Sequence, residues 1–173
     1  AIEVGPLEEA VKAGEAYPLI SKRGLRLLRQ AKFAIKLRGR LLADDWAGLV
    51  ALLEGEKKDD ELAAMEEVTS AWGEITDKCA GLEAALQTAL DTGRSKRVVE
   101  GKWERKEVST AALVAAMPPV KDFPHTTLKG EKLLQQGELV TKVRKQLTDA
   151  CSWDAAASWA GLAAVLASIP AEF

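Results

Sequence analysis

The chain has 173 residues, of which 47% are hydrophobic and 29% are charged, and its formal net charge at pH 7 is −2. This composition is typical of a globular protein with a buried core, and it excludes a disordered chain. The small net charge excludes a general attraction to nucleic acids or anionic membranes, and two cysteines are too few for a disulfide framework or a metal signature.

The first predicted element is an amphipathic helix over residues 7–16, with Pro6 in its first turn, where a missing N–H costs nothing. Tyr17-Pro18 breaks this helix, because the residue before a proline disfavours the helical conformation. Ala and Leu dominate the chain and strict two-residue alternation is absent, so we expect helices throughout.

A long amphipathic helix is predicted next, over about residues 22–43, and it contains no acidic residue. On a helical projection its main apolar side chains share one sector, and most of its cations lie opposite. The sector contains Leu27, Leu28, Ala31, Ala34, Ile35, Leu41 and Leu42. Asp45 is then predicted to cap a short apolar helix over Trp46–Glu54, which Gly55 closes.

The middle of the chain is helix-prone from residue 59 to residue 92. Gly73 and Gly81 lie inside this run, and each costs a helix interior about 1 kcal/mol relative to alanine. One long helix and two helices with a break are therefore both open. The charged segment 93–107 has no clear assignment.

The C-terminal part begins with a short helix over residues 110–117, which Pro118-Pro119 is predicted to stop because proline lacks the N–H donor. Residues 118–124 are predicted to form an extended connection. A long helix follows over about 126–150, and a short one starts at Trp153 or Ala156 and ends at Ser168.

The pattern of a long helix followed by a short one recurs along the chain. At an offset of 106 residues, Tyr17-Pro18 matches Phe123-Pro124 and Arg38 matches Arg144. The tetrapeptide WAGL occurs at both 46–49 and 159–162, and a fainter copy lies between the two clear ones. A single helix pair cannot bury its apolar faces, whereas stacked copies form a continuous core.

The sequence therefore predicts an all-α fold, either an irregular helical bundle or a short α-solenoid of degenerate helix–loop–helix repeats. We expect one all-helical domain over residues 1–173, with repeat-like units over about 7–55, 59–117 and 118–170. The missing initiator Met and the terminal Glu172-Phe173, which resembles a cloning scar, suggest a domain excised from a larger protein.

No residue pattern predicts catalysis. The only histidine, His125, has no recognisable Cys or Asp partner pattern, and no nucleophile elbow, phosphate loop, HExxH or CxxC is present. Carboxylate pairs such as Asp44-Asp45 and Asp59-Asp60 occur at helix starts, where capping explains them. We therefore predict no catalytic residue, no metal ion and no cofactor.

The most distinctive surface feature is a basic stripe on the long helix. Cations recur there at helical intervals, and an aromatic side chain is predicted on the same side. The basic stripe comprises Lys22, Arg26, Arg29, Phe33, Lys36 and Arg40. Basic amphipathic helices bind acidic proteins, calmodulin-like light chains or anionic surfaces. The alternative is that the stripe pairs with the acidic segment 54–67 of the same chain.

Part of this helix, FAIKLRGRLLA, resembles an IQ motif, a sequence that calmodulin-like proteins bind. Phe33 matches the apolar start and Arg38-Gly39 matches the Arg-Gly pair. The match departs from the motif at Ala34, where glutamine is typical, and at Ala43, where the last basic residue is typical. The resemblance implies a calmodulin-like partner for this helix.

These features lead us to expect a non-catalytic protein–protein interaction or scaffold domain that presents rigid helix faces to an acidic protein partner. The alternatives are a calmodulin-like or light-chain target and a helical domain with a small-molecule pocket. Nucleic acid is disfavoured, because abundant acid elsewhere offsets the basic helix. No 18-residue apolar run is present, so no membrane span is expected. The two cysteines fit a reducing, intracellular setting, cytoplasmic or cytoskeleton-associated.

Overall fold

The structure, a computed structural model, describes residues 3–18, 20–57, 59–92, 110–150 and 155–167. Within these ranges the backbone forms eight helices and no strand, so the all-α prediction is confirmed. The helices are α1 (Gly5–Glu15), α2 (Lys22–Leu42), α3 (Trp46–Gly55), α4 (Asp60–Ala63), α5 (Glu66–Thr92), α6 (Ala111–Lys121), α7 (Leu128–Ala150) and α8 (Ala155–Ala167). The charged segment 93–107 and Cys151 lie outside the described residues.

The chain divides into two compact units, Ala1–Lys78 and Cys79–Phe173. Helix α5 contributes its first half to the first unit and the remainder to the second. The prediction that residues 1–173 form one domain stays a prediction, and so does the repeat.

In the first unit, α1 packs against α2, and α2 packs against α3. The buried side chains come from every helix of the unit, and they are apolar. They are Val11, Phe33, Ala34, Leu37, Leu49, Val50, Leu53, Leu62, Val68, Ala71 and Ile75. Burying a Leu, Ile or Phe side chain stabilises a fold by roughly 1.5–3 kcal/mol, so this cluster holds the short helices in place.

Side-chain caps fix where three of these helices begin. Ser21 Oγ accepts the backbone N–H of Gly24 at 3.1 Å, and Asp45 Oδ1 accepts that of Gly48 at 2.9 Å. Asp59 Oδ1 accepts N–H groups from the first turn of α4. Each cap satisfies a donor that has no partner inside its own helix. The predicted capping role of Asp45 is confirmed.

Asp45 gives the start of α3 a pH dependence. Its pKa is lowered because the carboxylate accepts the Gly48 N–H and, secondly, a hydrogen bond from the Arg40 guanidinium. A lowered folded-state pKa stabilises the fold above the unfolded-state pKa, and this contribution is lost as pH falls through the folded-state pKa. We therefore expect the carboxyl carbon of Asp45 to titrate below its usual value of 3.8 in an NMR pH series.

The matched variant for this titration is Arg40→Gln, which removes the ion pair and keeps the helix cap. In that variant we expect the pKa of Asp45 to rise towards 3.8 without reaching it, because the Gly48 N–H remains. A titration of Asp45 at or above 3.8 in the unmodified chain would show that the cap does not form in solution.

In the second unit, α6 packs against α7, and α7 packs against α8. Its core is an apolar cluster supplied by the last turns of α5 together with α6 and α7. The cluster contains Leu86, Ala89, Leu90, Leu113, Val120 and Leu133. The buried Arg144 of α7 donates a hydrogen bond to the carbonyl of Leu90 at 3.5 Å, close to the C-terminal end of α5. A cation is favourable there, because unpaired carbonyls carry partial negative charge.

Two predictions about helix limits are resolved by the structure. Helix α5 runs without a break through Gly73 and Gly81, both of which are exposed. The prediction that Pro118-Pro119 stops α6 is wrong, since the helix continues to Lys121 and residues 118–124 are not an extended connection. Both prolines are exposed, as are Val114 and Ala115 one turn earlier, so water can hydrate the carbonyls that receive no proline N–H.

Candidate interaction surface on helix α2

Helix α2 buries a different side from the one that its apolar pattern predicts. Phe33, Ala34 and Leu37 are its buried residues, whereas Leu27, from the predicted apolar sector, is 56% exposed and Leu42 is also exposed. Of that sector only Ala34 is buried. The helix is thus rotated so that its phenylalanine enters the core, whereas the leucines of the predicted apolar sector do not.

Phe33 was predicted to share the exposed side of the basic stripe, and the structure corrects this placement. Its side chain is only 5% exposed and lies beside Leu53 and Leu62, with which it lines a small cavity of about 250 Å³. The physical reason is that a phenyl ring buries more apolar area than any other side chain of α2. Its cationic neighbours reach solvent through their long aliphatic stems.

Most cations of the basic stripe are paired within the first unit. Arg26 lies 2.9 Å from Glu61, and Arg29 lies 2.5 Å from Asp59. These acids belong to the acidic segment 54–67, which the sequence identified as the intramolecular alternative. At the other end of the stripe, Arg40 pairs with Asp45. The stripe therefore carries less free positive charge than its composition suggests.

The remaining cations of the basic stripe are Lys22 and Lys36. Both are exposed, and neither forms an ion pair with any residue that the structure describes. Lys32, on the same side of the helix, pairs with Glu15 at the end of α1, with 2.5 Å between nitrogen and oxygen. Within the basic stripe, unneutralised charge is thus concentrated at Lys22 and Lys36.

An open cleft of about 630 Å³ lies along this side of α2. Its lining combines apolar side chains with three cations and two acids. The lining residues are Glu15, Ile20, Leu25, Leu28, Arg29, Lys32, Phe33, Lys36, Glu56 and Leu62. Leu25 is 56% exposed. The cleft therefore offers a partly apolar floor with an excess of positive charge at its edge, and we refer to it as the basic cleft.

A second, more apolar groove lies where α1 crosses α2, and sequence reasoning missed it. It has a volume of about 380 Å³ and includes Tyr17, Leu27 and the two small residues Gly14 and Gly24. A Cβ atom added to Gly14 would come 2.7 Å from the end of the Leu28 side chain, so the two helices approach each other closely at this glycine. The sequence does contain a signal for this groove, because each of the two helices carries a glycine there. The groove was not predicted because Leu27 was placed in the apolar sector of α2, which was expected to be buried.

In the second unit, Glu83 is a buried carboxylate that sequence reasoning also missed. It is 4% exposed and accepts hydrogen bonds from the Thr127 hydroxyl and, at 3.5 Å, from the Cys79 thiol. Lys129 lies 3.7 Å from its second oxygen. Thr127 in turn accepts the N–H of Gly130 at 3.0 Å, at the start of α7. The group therefore ties the start of α7 to α5, which is a structural role.

The only histidine of the sequence contacts this group through its backbone. The thiol of Cys79 donates to the backbone carbonyl of His125 at 3.5 Å. Burial raises the pKa of the Cys79 thiol, and the hydrogen bond that the thiol donates to Glu83 raises it further. The thiol therefore stays protonated at neutral pH, and a protonated thiol is a poor nucleophile.

Among the described residues, no group of three or more His, Cys, Asp or Glu side chains that could hold a metal ion occurs. In the same ranges, no helix combines the length and the apolarity that crossing a bilayer requires.

Comparisons with protein-family models, with curated protein sequences and with solved structures find no match to this chain. No activity, substrate or partner is therefore carried over from a relative. The charges and the apolar surface of α2 are the features from which a function can be argued.

Proposed function

We propose that this chain is a non-catalytic protein–protein interaction domain that binds an acidic partner along the exposed side of α2. The observation that carries this proposal is the arrangement around Leu25, which is more than half exposed and lines the basic cleft together with Lys36. An exposed leucine gains free energy when a partner covers it, and an unpaired cation favours an acidic partner by electrostatic complementarity.

The predicted repeat belongs to the same proposal, because stacked helix pairs would present rigid faces to partners. Two facts support it. Helices α2 and α7 begin 106 residues apart, at Lys22 and Leu128, as the register of the first and third copies requires. Each is followed by a short apolar helix, α3 or α8, with which it packs.

A calmodulin-like partner, the alternative that the IQ resemblance implies, makes a different demand on the fold. Such proteins engulf the apolar face of a target helix, so α2 would have to withdraw Phe33, Ala34 and Leu37 from the core. The interaction that we propose leaves α2 in place. Calcium dependence therefore separates the two, because calmodulin-like sensors open their apolar grooves on binding calcium.

The test is affinity capture from cell extract with the intact chain as bait. We expect a set of partners that is captured equally with calcium or a chelator and is lost when Lys22 and Lys36 are both replaced by glutamate. The matched control is Lys142→Glu with Lys145→Glu, which makes the same charge change on exposed residues of α7. Circular dichroism verifies that both variants are folded.

The same partners on all three baits would place the binding surface elsewhere and contradict the proposal. Capture that requires calcium would instead support the calmodulin-like alternative.

A further inference from the structure

The basic cleft, on which the proposed function rests, holds two of the chain's own carboxylates next to cations of α2. Glu15 lies 2.5 Å from Lys32, and both side chains are about half exposed. No other ion pair of Lys32 or Glu15 occurs among the described residues. An exposed pair of this kind contributes little net stability, because water solvates both groups well when they separate.

Glu56 occupies a similar place beside Arg29, at 4.0 Å. Arg29 does not depend on it, since Asp59 lies 2.5 Å from the same guanidinium nitrogen. Asp59 is also held by the N–H groups of Glu61 and Leu62, so it stays fixed if Glu56 moves away. Glu15 and Glu56 can therefore leave the cleft without disturbing the helices around it.

We propose that Glu15 and Glu56 mask the basic cleft, and that the partner is an acidic amphipathic segment whose carboxylates replace them. In this arrangement a partner carboxylate takes the place of Glu15 at Lys32, and another pairs with Lys36. Apolar side chains of the segment cover Leu25 and Leu28 on the floor of the cleft.

Charge complementarity selects this occupant. The cleft lining carries three cations and two displaceable acids. Because Asp59 still pairs with Arg29, removing the acids leaves Lys32 and Lys36 unpaired beside an apolar floor. A peptide with carboxylates on one side and leucine-like side chains on another satisfies both parts. A phosphate backbone has no apolar group to fill the floor.

The experiment starts from a display library of random peptides of about 16 residues, enough for about four helical turns. The peptides are selected on the intact chain at about 0.15 M salt, where only close charges interact strongly. We expect the enriched peptides to be acidic, with apolar residues three or four positions apart. The affinity of the best peptide is then measured by fluorescence anisotropy for each variant.

Removing a mask is expected to strengthen binding. Glu15→Gln should bind the selected peptide about three- to fivefold more tightly, because the peptide no longer competes with an exposed ion pair. The matched control is Glu8→Gln, which makes the same change on an exposed residue of α1 that lines neither groove, and it should leave the affinity unchanged. Lys36→Gln should weaken binding about fivefold, whereas Lys142→Gln on α7 should not.

The outcomes distinguish a failure of the masking proposal from a failure of the proposed binding surface. If Lys36→Gln and Leu25→Ser weaken binding but Glu15→Gln binds no better than Glu8→Gln, masking is overturned and the proposed surface stands. If neither Lys36→Gln nor Leu25→Ser changes the affinity, the proposed surface fails as well. Enrichment of basic or uncharged peptides overturns the acidic occupant. Tighter binding of Glu15→Gln to phosphatidylserine vesicles or to an RNA oligomer than to any selected peptide also overturns it.

Discussion

Replacing Phe33 with alanine is expected to lower the free energy of unfolding by about 3–5 kcal/mol. The ring is almost fully buried beside Leu53 and Leu62, so its removal leaves a cavity between α2 and the segment that follows α3. The loss combines the transfer free energy of the ring with the cost of that cavity. Urea denaturation followed by circular dichroism measures it directly.

Lys36→Ala is the matched control for this measurement, because Lys36 lies one turn further along the same helix and is exposed. We expect that change to alter stability by less than about 0.5 kcal/mol. If Phe33→Ala were as mild as the control, the ring would not be part of the core. The original expectation that Phe33 belongs to the exposed basic stripe would then be restored.

The position of Phe33 shows why the face of α2 was harder to predict than its existence. Periodicity identifies that a helix has apolar residues on one side, but α2 has two apolar neighbours, α1 and the region of α3 and α4. Helix α1 has 11 residues and α2 has 21, so α1 cannot cover every leucine of the predicted apolar sector. Which of the remaining apolar side chains are buried depends on contacts with other helices, and the sequence of α2 alone does not show those contacts.

Local signals were more informative. Asp45 accepts the N–H group three residues along, as predicted, so the start of α3 follows from a few neighbouring residues. Ser21 caps α2 in the same way, which was not predicted from the sequence. The identical residues at matching positions of the first and third copies were poorer predictors of structure. Leu27 and Leu133 correspond at the predicted offset, yet Leu27 is 56% exposed and Leu133 is 5% exposed. The same residue type therefore has opposite roles, because burial is decided by what packs against it.

The basic cleft was predictable only in part. The cations of α2 and the nearby acidic segment are visible in the sequence, and their pairing was one of the two interpretations. The sequence could not predict which acid pairs with which cation, because Glu15 reaches Lys32 from another helix. The intramolecular pairs therefore appear only when the fold brings α1 and the segment after α3 to the same side of α2.

Replacing Glu83 with alanine is expected to lower the free energy of unfolding by about 2–3 kcal/mol, the second large effect. Hydrogen bonds to a charged group contribute about 1.5–3 kcal/mol, and Glu83 accepts one from Thr127, which lies 44 residues further along the chain. Without the carboxylate, the thiol of Cys79 loses an acceptor in a buried position. The start of α7 also loses its tie to α5.

The control is Glu74→Ala, an exposed glutamate on the same helix, which should change stability by less than about 0.5 kcal/mol. Thr127→Val provides the decisive comparison, because it removes the partner hydroxyl and keeps the side-chain shape. If the two groups act together, the double variant Glu83→Ala/Thr127→Val should be less destabilised than the sum of the singles, by about 1–2 kcal/mol. Simple additivity would show that the carboxylate and the hydroxyl contribute independently, and that the tie between α5 and α7 does not exist in solution.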